Sequence, residues 1–209
     1  MTSRTYDAAG RRAAAAYNRR AVLDAGLELL LRDGYQATTI RAVAERAGVS
    51  PELIYKTFKN KQGLMKGVYD RAVAGDDLQV AVGARPEIAA IWALRDPGEK
   101  LLAYAAFVAG VMHRLGGLLA VLTEADPEIA ELRATTDAER LTGVGAFVAH
   151  LAEQGVLRAD LPVGRATDAC WALTSPQLFA QLTGARGWPQ DVYVGWLAGV
   201  LEASLTADC

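Results

Sequence analysis

The chain has 209 residues, 52% of them apolar, two cysteines and a formal net charge of −2. That length suits one large domain or two small ones with a sizeable core. Cys170 and Cys209 form no spaced set, which excludes a disulfide framework and implies a reducing compartment. Near-neutral charge taken alone argues against a nucleic-acid partner, but the charge is uneven. Residues 1–71 hold 13 lysines and arginines against 7 acids, while 72–209 hold 9 against 17. A basic N-terminal block joined to an acidic remainder is the distribution expected of a DNA reader with a second domain. There is no signal-peptide pattern, and no apolar run of about 18 residues lacks a charge or a break. A cytoplasmic protein with no membrane segment is expected.

In chain order, residues 1–12 are polar and carry Arg4, Arg11 and Arg12; they are expected to be disordered when free. From about Ala13 to Arg32, Val22, Leu23, Leu27, Leu30 and Leu31 recur at helical spacing, and Gly34 ends the helix. Thr38 or Thr39 then caps a helix over IRAVAERA, with Ile40, Val43, Ala44 and Ala47 on one face. Gly48 falls where that helix stops. Ser50-Pro51-Glu52 restarts the chain as a helix, with an N-cap, a first-turn proline and an acid at the positive end. Ile54 and Phe58, four apart, pin this helix to the one before, and small Ala44 opposite Gly48 is expected to let the two cross closely. Two short helices around a tight turn are helix-turn-helix grammar, and the second of the pair is the kind that enters a DNA major groove.

Asn60 caps a further helix to about Gly75, the expected connector between domains, with Leu64, Val68 and Val73 inward. The stretch from Gly75 to Pro86 loses any period and marks a boundary, giving domains 13–75 and 76–209. Beyond it a short helix runs from Pro86 to Leu94. Asp96-Pro97-Gly98-Glu99 opens another to about Arg114, broken by Gly116-Gly117, with a short apolar helix on to Ala125. Asp126-Pro127-Glu128 opens a long helix to about Gln154. Val163–Leu182, kinked at Pro176, and Pro189–Leu205 complete an all-α chain. The kink is expected to leave carbonyls near residue 172 open beside Thr174 and Gln177.

Residues 21–65 resemble the DNA-binding region of the TetR family of transcriptional regulators. The resemblance rests on a leucine-rich helix ending in Asp33-Gly34-Tyr35, then Thr38-Thr39-Ile40, Ala47-Gly48-Val49-Ser50, Leu53-Ile54-Tyr55, Phe58, Asn60-Lys61 and on to Met65. Thr57 departs from it, standing where members often have histidine or tyrosine. The resemblance implies an N-terminal three-helix DNA-binding domain and a larger C-terminal helical domain for ligand and dimerisation. It implies that Thr39 and Lys61, each at a helix N-terminus that already favours phosphate, clamp the DNA backbone. Read from the residues, Ser50, Pro51, Glu52, Tyr55 and Lys56 face DNA. Tyr55 suits a phosphate, Lys56 a phosphate or a guanine edge, and Glu52 either a cytosine amino group or the helix dipole. Arg41 is a third phosphate candidate, with a solvated surface role as the alternative. The arginines of the N-terminal arm are candidates for the adjacent minor groove, or idle.

One such module reads few base pairs, so a homodimer on a palindromic operator is expected. Ala169, Leu173, Val194, Leu197, Ala198 and Leu201, with Gly195 and Gly199, offer the apolar stripes for it, or else close the core of one chain. The resemblance implies a four-helix bundle between subunits. Trp92, Tyr104, Phe107, Met112, His113, Leu119, Phe147, Trp171, Thr174 and Gln177 supply aromatic walls with few polar groups, suited to an uncharged or aromatic small-molecule effector, or to a simple core. No metal-ligand spacing, nucleophile–base pair or phosphate loop is present, so no cofactor, no metal and no enzyme activity are expected. The reading is a ligand-released homodimeric repressor of transcription, bound to double-stranded DNA. An activator of the same family and a helical small-molecule-binding protein without DNA binding are the alternatives.

Overall fold

The computed structural model of the chain describes residues 3–76, 78, 80–121 and 126–206, without the side chains of 3–9. Expectations that fall on Cys209, on the Arg4 side chain and on the helix end at 122–125 lie outside those residues. The protein is all-α: α1 (Ser3–Ala37), α2 (Ile40–Ala47), α3 (Pro51–Phe58), α4 (Lys61–Ala74), α5 (Pro86–Ala93), α6 (Pro97–Val121), α7 (Pro127–Glu153), α8 (Val163–Leu173), α9 (Pro176–Phe179) and α10 (Gln190–Leu205). A 3₁₀ turn at Val82–Ala84 precedes α5, and a π turn at Ala180–Ala185 follows α9.

The residues fall into two compact units. One is Met1–Asp77 with Leu115–Leu132, the other Leu78–Arg114 with Arg133–Cys209. Both α6 and α7 are therefore shared between units. In α6 the division coincides with Gly116, whose φ of 2° and ψ of −91° interrupt the helix. By length and composition α6 would also suit a membrane span, with half of its apolar window buried in the chain.

Local chemistry explains the first unit. Thr39, not Thr38, caps α2: its Oγ1 accepts from the Ala42 amide at 3.1 Å, while Thr38 is buried and donates to the Gly34 carbonyl. Gly48 takes the left-handed conformation, φ 67°, and its amide reaches back to α2 carbonyls. A methyl group there would meet nothing within 4 Å, so this glycine serves the turn and not a close crossing. The tight approach expected there occurs instead where α4 meets the end of α3. A Cβ at Gly67 would stand 2.9 Å from the Phe58 ring, and one at Gly63 would overlap the Phe58 carbonyl oxygen. Ile54 and Phe58 are buried as expected, with Val22, Leu23 and Leu30 of α1 and Leu64, Met65 and Val68 of α4. Of the expected set, Leu27 is half-buried and Leu31 49% exposed, while Ala25 and Leu29 are buried.

Two further expectations change. Residues 3–12 are helical, continuous with α1. The helix over 163–182 is not a kinked rod. It stops at Leu173, and Ser175 caps a new helix whose first residue is Pro176, through a bond from the Leu178 amide at 3.3 Å. A residue before proline is pushed out of the helical region, so Ser-Pro works here as a restart, as at Ser50-Pro51. The carbonyls near 172 are consequently used: Ala172 O accepts from Ser175, and Cys170 O from the amide and hydroxyl of Thr174.

The Ser50 cap gives a measurable expectation. Its Oγ accepts from the Leu53 amide at 3.4 Å. Ser50→Ala should lower unfolding stability by about 1 kcal/mol in denaturant titration, and Ser50→Gly by only a few tenths. Equal losses would show that the hydroxyl does not cap α3.

Candidate nucleic-acid interface

The start of α2, the face of α3 and the start of α4 border one open groove of about 840 Å³. Its lining includes Thr39, Arg41, Tyr55 and Lys61 from the expected DNA set, and Asp126 and Glu128 from the start of α7. Arg41, Lys56 and Tyr55 are exposed, Tyr55 at 53%. Ser50 and Pro51 stand at the start of α3, where Ser50 is spent on the cap. The Glu52 carboxyl is held below its usual range by its own backbone amide and then by the Ser50 hydroxyl. Glu52 stands exposed in the first turn of α3, where a carboxylate suits the positive helix end. Thr57 turns back to donate to the Leu53 carbonyl at 2.8 Å.

Lys61 does not extend freely. Its ammonium rests 4.0 Å from the centre of the Tyr35 ring and donates to the Gln36 carbonyl at 3.3 Å. Tyr35 is buried, and its hydroxyl donates to Glu128; burial first, then that carboxylate, pushes the phenol well up. Gln36 donates to Asp126, and Gln62 to the Glu131 carboxylate at 3.0 Å. Asp126 also accepts from the Glu128 and Ile129 amides, capping α7. The acids Asp126, Glu128 and Glu131 thus latch the first turns of α7 onto the ends of α1 and α4. In sequence Asp126-Pro127-Glu128 announces only a helix start. Its partners lie about ninety positions away, where no local pattern points.

Residues 22–68 match the family model described as bacterial regulatory proteins, tetR family. The stretch from α1 to α4 is thus similar to the DNA-binding part of that family. Over 47 residues it is 49% identical to the HTH-type transcriptional regulator YvkB of Bacillus subtilis (strain 168), covering 22% of this chain and 25% of that protein. The chain thus matches about a quarter of the length of that curated relative. Among solved structures, NalD of Pseudomonas aeruginosa, the secondary repressor of the MexAB-OprM multidrug efflux pump, superposes with a TM-score of 0.67 at 22% identity. That likeness covers 92% of this chain and 98% of NalD. FadR from Bacillus subtilis, solved in complex with stearoyl-CoA, gives 0.69 at 15% identity over 88% and 97%. These likenesses show that the all-α fold of this chain is shared with those structures over the second unit as well as the first.

The second unit holds the aromatic residues expected to bind a ligand, and three of them, Trp92, Tyr104 and Phe147, take part in two ring stacks. Tyr104 and Phe147 lie face to face with ring centres 3.7 Å apart, and Trp92 stacks on His150 at 4.8 Å. Met112 and Thr174 are buried; Phe107 is half-buried; Trp171 carries the Arg140 guanidinium 4.2 Å above its ring. His113 and Gln177 are exposed, and Leu119 belongs to the first unit, so these three stand apart from the stacks. Cys170 is fully buried, and burial holds its thiol up at about 12, so it stays protonated near neutral pH. On α10, Leu197 and Leu201 are 0% exposed along with Tyr193 and Leu205. These four, spaced by four, fill the chain's own core. Ala169, Leu173, Val194 and Ala198 are half-buried, while Val192, Gly195 and Gly199 are exposed.

Nothing in the local sequence announces Lys100. It is 0% exposed, and its ammonium donates to the Trp92 carbonyl at 3.4 Å, to Gln154 and toward His150 Nε2 at 3.1 Å. Its partners are a backbone carbonyl, a side-chain amide and an imidazole, so the unit is less apolar inside than its aromatic content implies. Burial lowers the Lys100 pKa. Between that lowered value and the usual lysine range the unfolded chain binds the extra proton, so stability should rise with pH across this window. Thermal melts at successive alkaline pH values below about 10 should show the rise, and Lys100→Met should flatten it. An unchanged slope in the variant would rule Lys100 out as its source.

Proposed function

We propose that the protein is a homodimeric, ligand-responsive repressor in the cytoplasm that binds a palindromic DNA operator. The domain 13–75 reads DNA and 76–209 takes the effector and the partner subunit, although 115–132 of the latter packs within the first unit. The observation that carries this reading is the groove that gathers Thr39, Arg41, Tyr55 and Lys61 from three helices onto one face beside α3. Phosphates in that groove meet the capped start of α2, the Tyr55 hydroxyl and the Lys61 ammonium. Pro51, Glu52 and Lys56 then border the base edges, with Ser50 holding the helix start in place.

In a dimer on B-DNA the two α3 helices must sit about 34 Å apart, or a multiple of it. Val192, Gly195 and Gly199 of α10 offer a partner an exposed surface, flanked by half-buried Val194 and Ala198 and, on α8, by Ala169 and Leu173. The stacked rings Tyr104–Phe147 and Trp92–His150 suit a flat, apolar or aromatic effector. FadR's stearoyl-CoA complex is a precedent for a ligand held by this fold. Effector binding releases DNA by a shift between two arrangements of the reading helices, so operator and effector must weaken one another equally. The α7 latch onto Tyr35, Gln36 and Gln62 joins α4 as a route for that shift.

The test is selection of binding sites from random duplex DNA by the purified protein. A palindromic site supports the reading, and Tyr55→Ala with Lys61→Ala should lose it. A folded dimer that enriches no site at low salt would overturn it.

A further inference from the structure

α1 starts well before the first unit begins to pack. Every residue from Gly10 to Tyr17 is exposed, Tyr17 at 74%, and burial begins only with the half-buried pair Asn18 and Arg19. A methyl group on Gly10 would meet nothing within 4 Å. A helix that buries so little needs another reason to form, and Ala13–Ala16 supply it, four consecutive residues of the strongest helix former. The result is a helical spacer whose register is set by the packed part of α1 below it.

That register has a direction. The Arg19 guanidinium lies 4.9 Å over the ring of Phe58, the last residue of α3. Arg12 is seven residues earlier, two turns at about 100° per residue, so it shares Arg19's face about 10 Å further along the axis. Arg11 lies beside it. The projecting basic face therefore continues from the end of the recognition helix outward.

We propose that this helical extension is a second DNA contact, laying Arg11 and Arg12 on phosphates that flank the groove α3 reads. The inference rests on the DNA-binding reading above and extends its footprint. It also replaces the expectation of a minor-groove arm. A helix with its side chains is about 10–12 Å across, and the B-DNA minor groove is only about 6 Å wide, so a helix cannot thread it. What a helix can do at that position is neutralise backbone charge.

The experiment measures affinity for a duplex with long flanks across a salt series, using the full chain, Arg11→Ala with Arg12→Ala, and Ala14→Gly with Ala15→Gly. Both positions are exposed, so alanine there leaves the core of the first unit intact, and a thermal melt of the variant checks its fold. For every phosphate that an arginine no longer neutralises, the salt slope should fall by about 0.9, or roughly eightfold in affinity at 0.1 M salt. Trimming the flanks from the duplex should abolish the difference. The glycine pair keeps both charges but weakens the helix. It should lose affinity as well if the register matters. An arginine variant with the parent's slope would overturn this inference alone. A parent chain with no salt-dependent binding would overturn it together with the DNA-binding reading. A glycine pair that binds as tightly as the parent, with a preference for A·T flanks, would show an arm instead of a helix.

Discussion

Replacing Tyr55 and Lys61 together by alanine should cut operator affinity by roughly a thousandfold for a dimer at 0.1 M salt, with little change in melting temperature. The magnitude follows from the groove. Each lysine–phosphate contact carries a salt slope of about 0.9, close to tenfold at 0.1 M, and it enters twice in a dimer. Each Tyr55 hydroxyl adds a hydrogen bond to a charged oxygen, worth about 1 kcal/mol or more. Stability should hold because Tyr55 is 53% exposed and Lys61 lies on the surface of the Tyr35 ring, adding no more than about 1 kcal/mol there. Titration against salt separates the two residues. Lys61→Ala should flatten the slope, whereas Tyr55→Phe should shift the line without changing its gradient. Parallel lines for Lys61→Ala would mean that the ammonium stays on Tyr35 and never reaches DNA.

Alanine at Gly63 should be the most damaging small substitution in the first unit, more so than alanine at Gly48. At Gly63 the new methyl would overlap the Phe58 carbonyl oxygen. That obstacle is backbone, fixed by the end of α3, so it cannot swing aside as a side chain can. The Gly63 amide is also held by the Asn60 cap at 2.7 Å, which prevents α4 from sliding away. A cost above about 3 kcal/mol is expected, at the upper end of what overpacking does. Gly48 is glycine for a different reason: φ is 67° and the space around it is open. Alanine there should cost about 1–2 kcal/mol, and asparagine less, because it tolerates that conformation. Denaturant unfolding of the three variants measures both. A Gly63→Ala protein as stable as the Gly48→Ala protein would contradict the close approach of α3 and α4.

The helix-turn-helix was legible in the amino-acid sequence because the signals that build it act over three or four residues. Thr39, Ser50 and Asn60 each cap with a side-chain oxygen on an amide three positions on, Gly48 needs only its own φ, and Pro51 its own ring. The spacing of Ile54 and Phe58 is equally local. Ser175-Pro176 carried the same restart signal as Ser50-Pro51, and the apolar run around it masked the break. Other features had no local trace. Glycine at 63 and 67 reads as helix weakness until Phe58 is seen against it. Leu197 and Leu201 read equally as a dimer stripe or as the core of one chain until their full burial is seen. Lys100 reads as a first-turn surface lysine until α5 and α7 close over it, and Tyr35 meets Glu128 from 93 positions away. Helix identity depends on neighbours in the chain. Which face is buried, which charge lies inside, and that 115–132 packs with the N-terminal unit depend on helices far apart in sequence, so only the tertiary structure decided them.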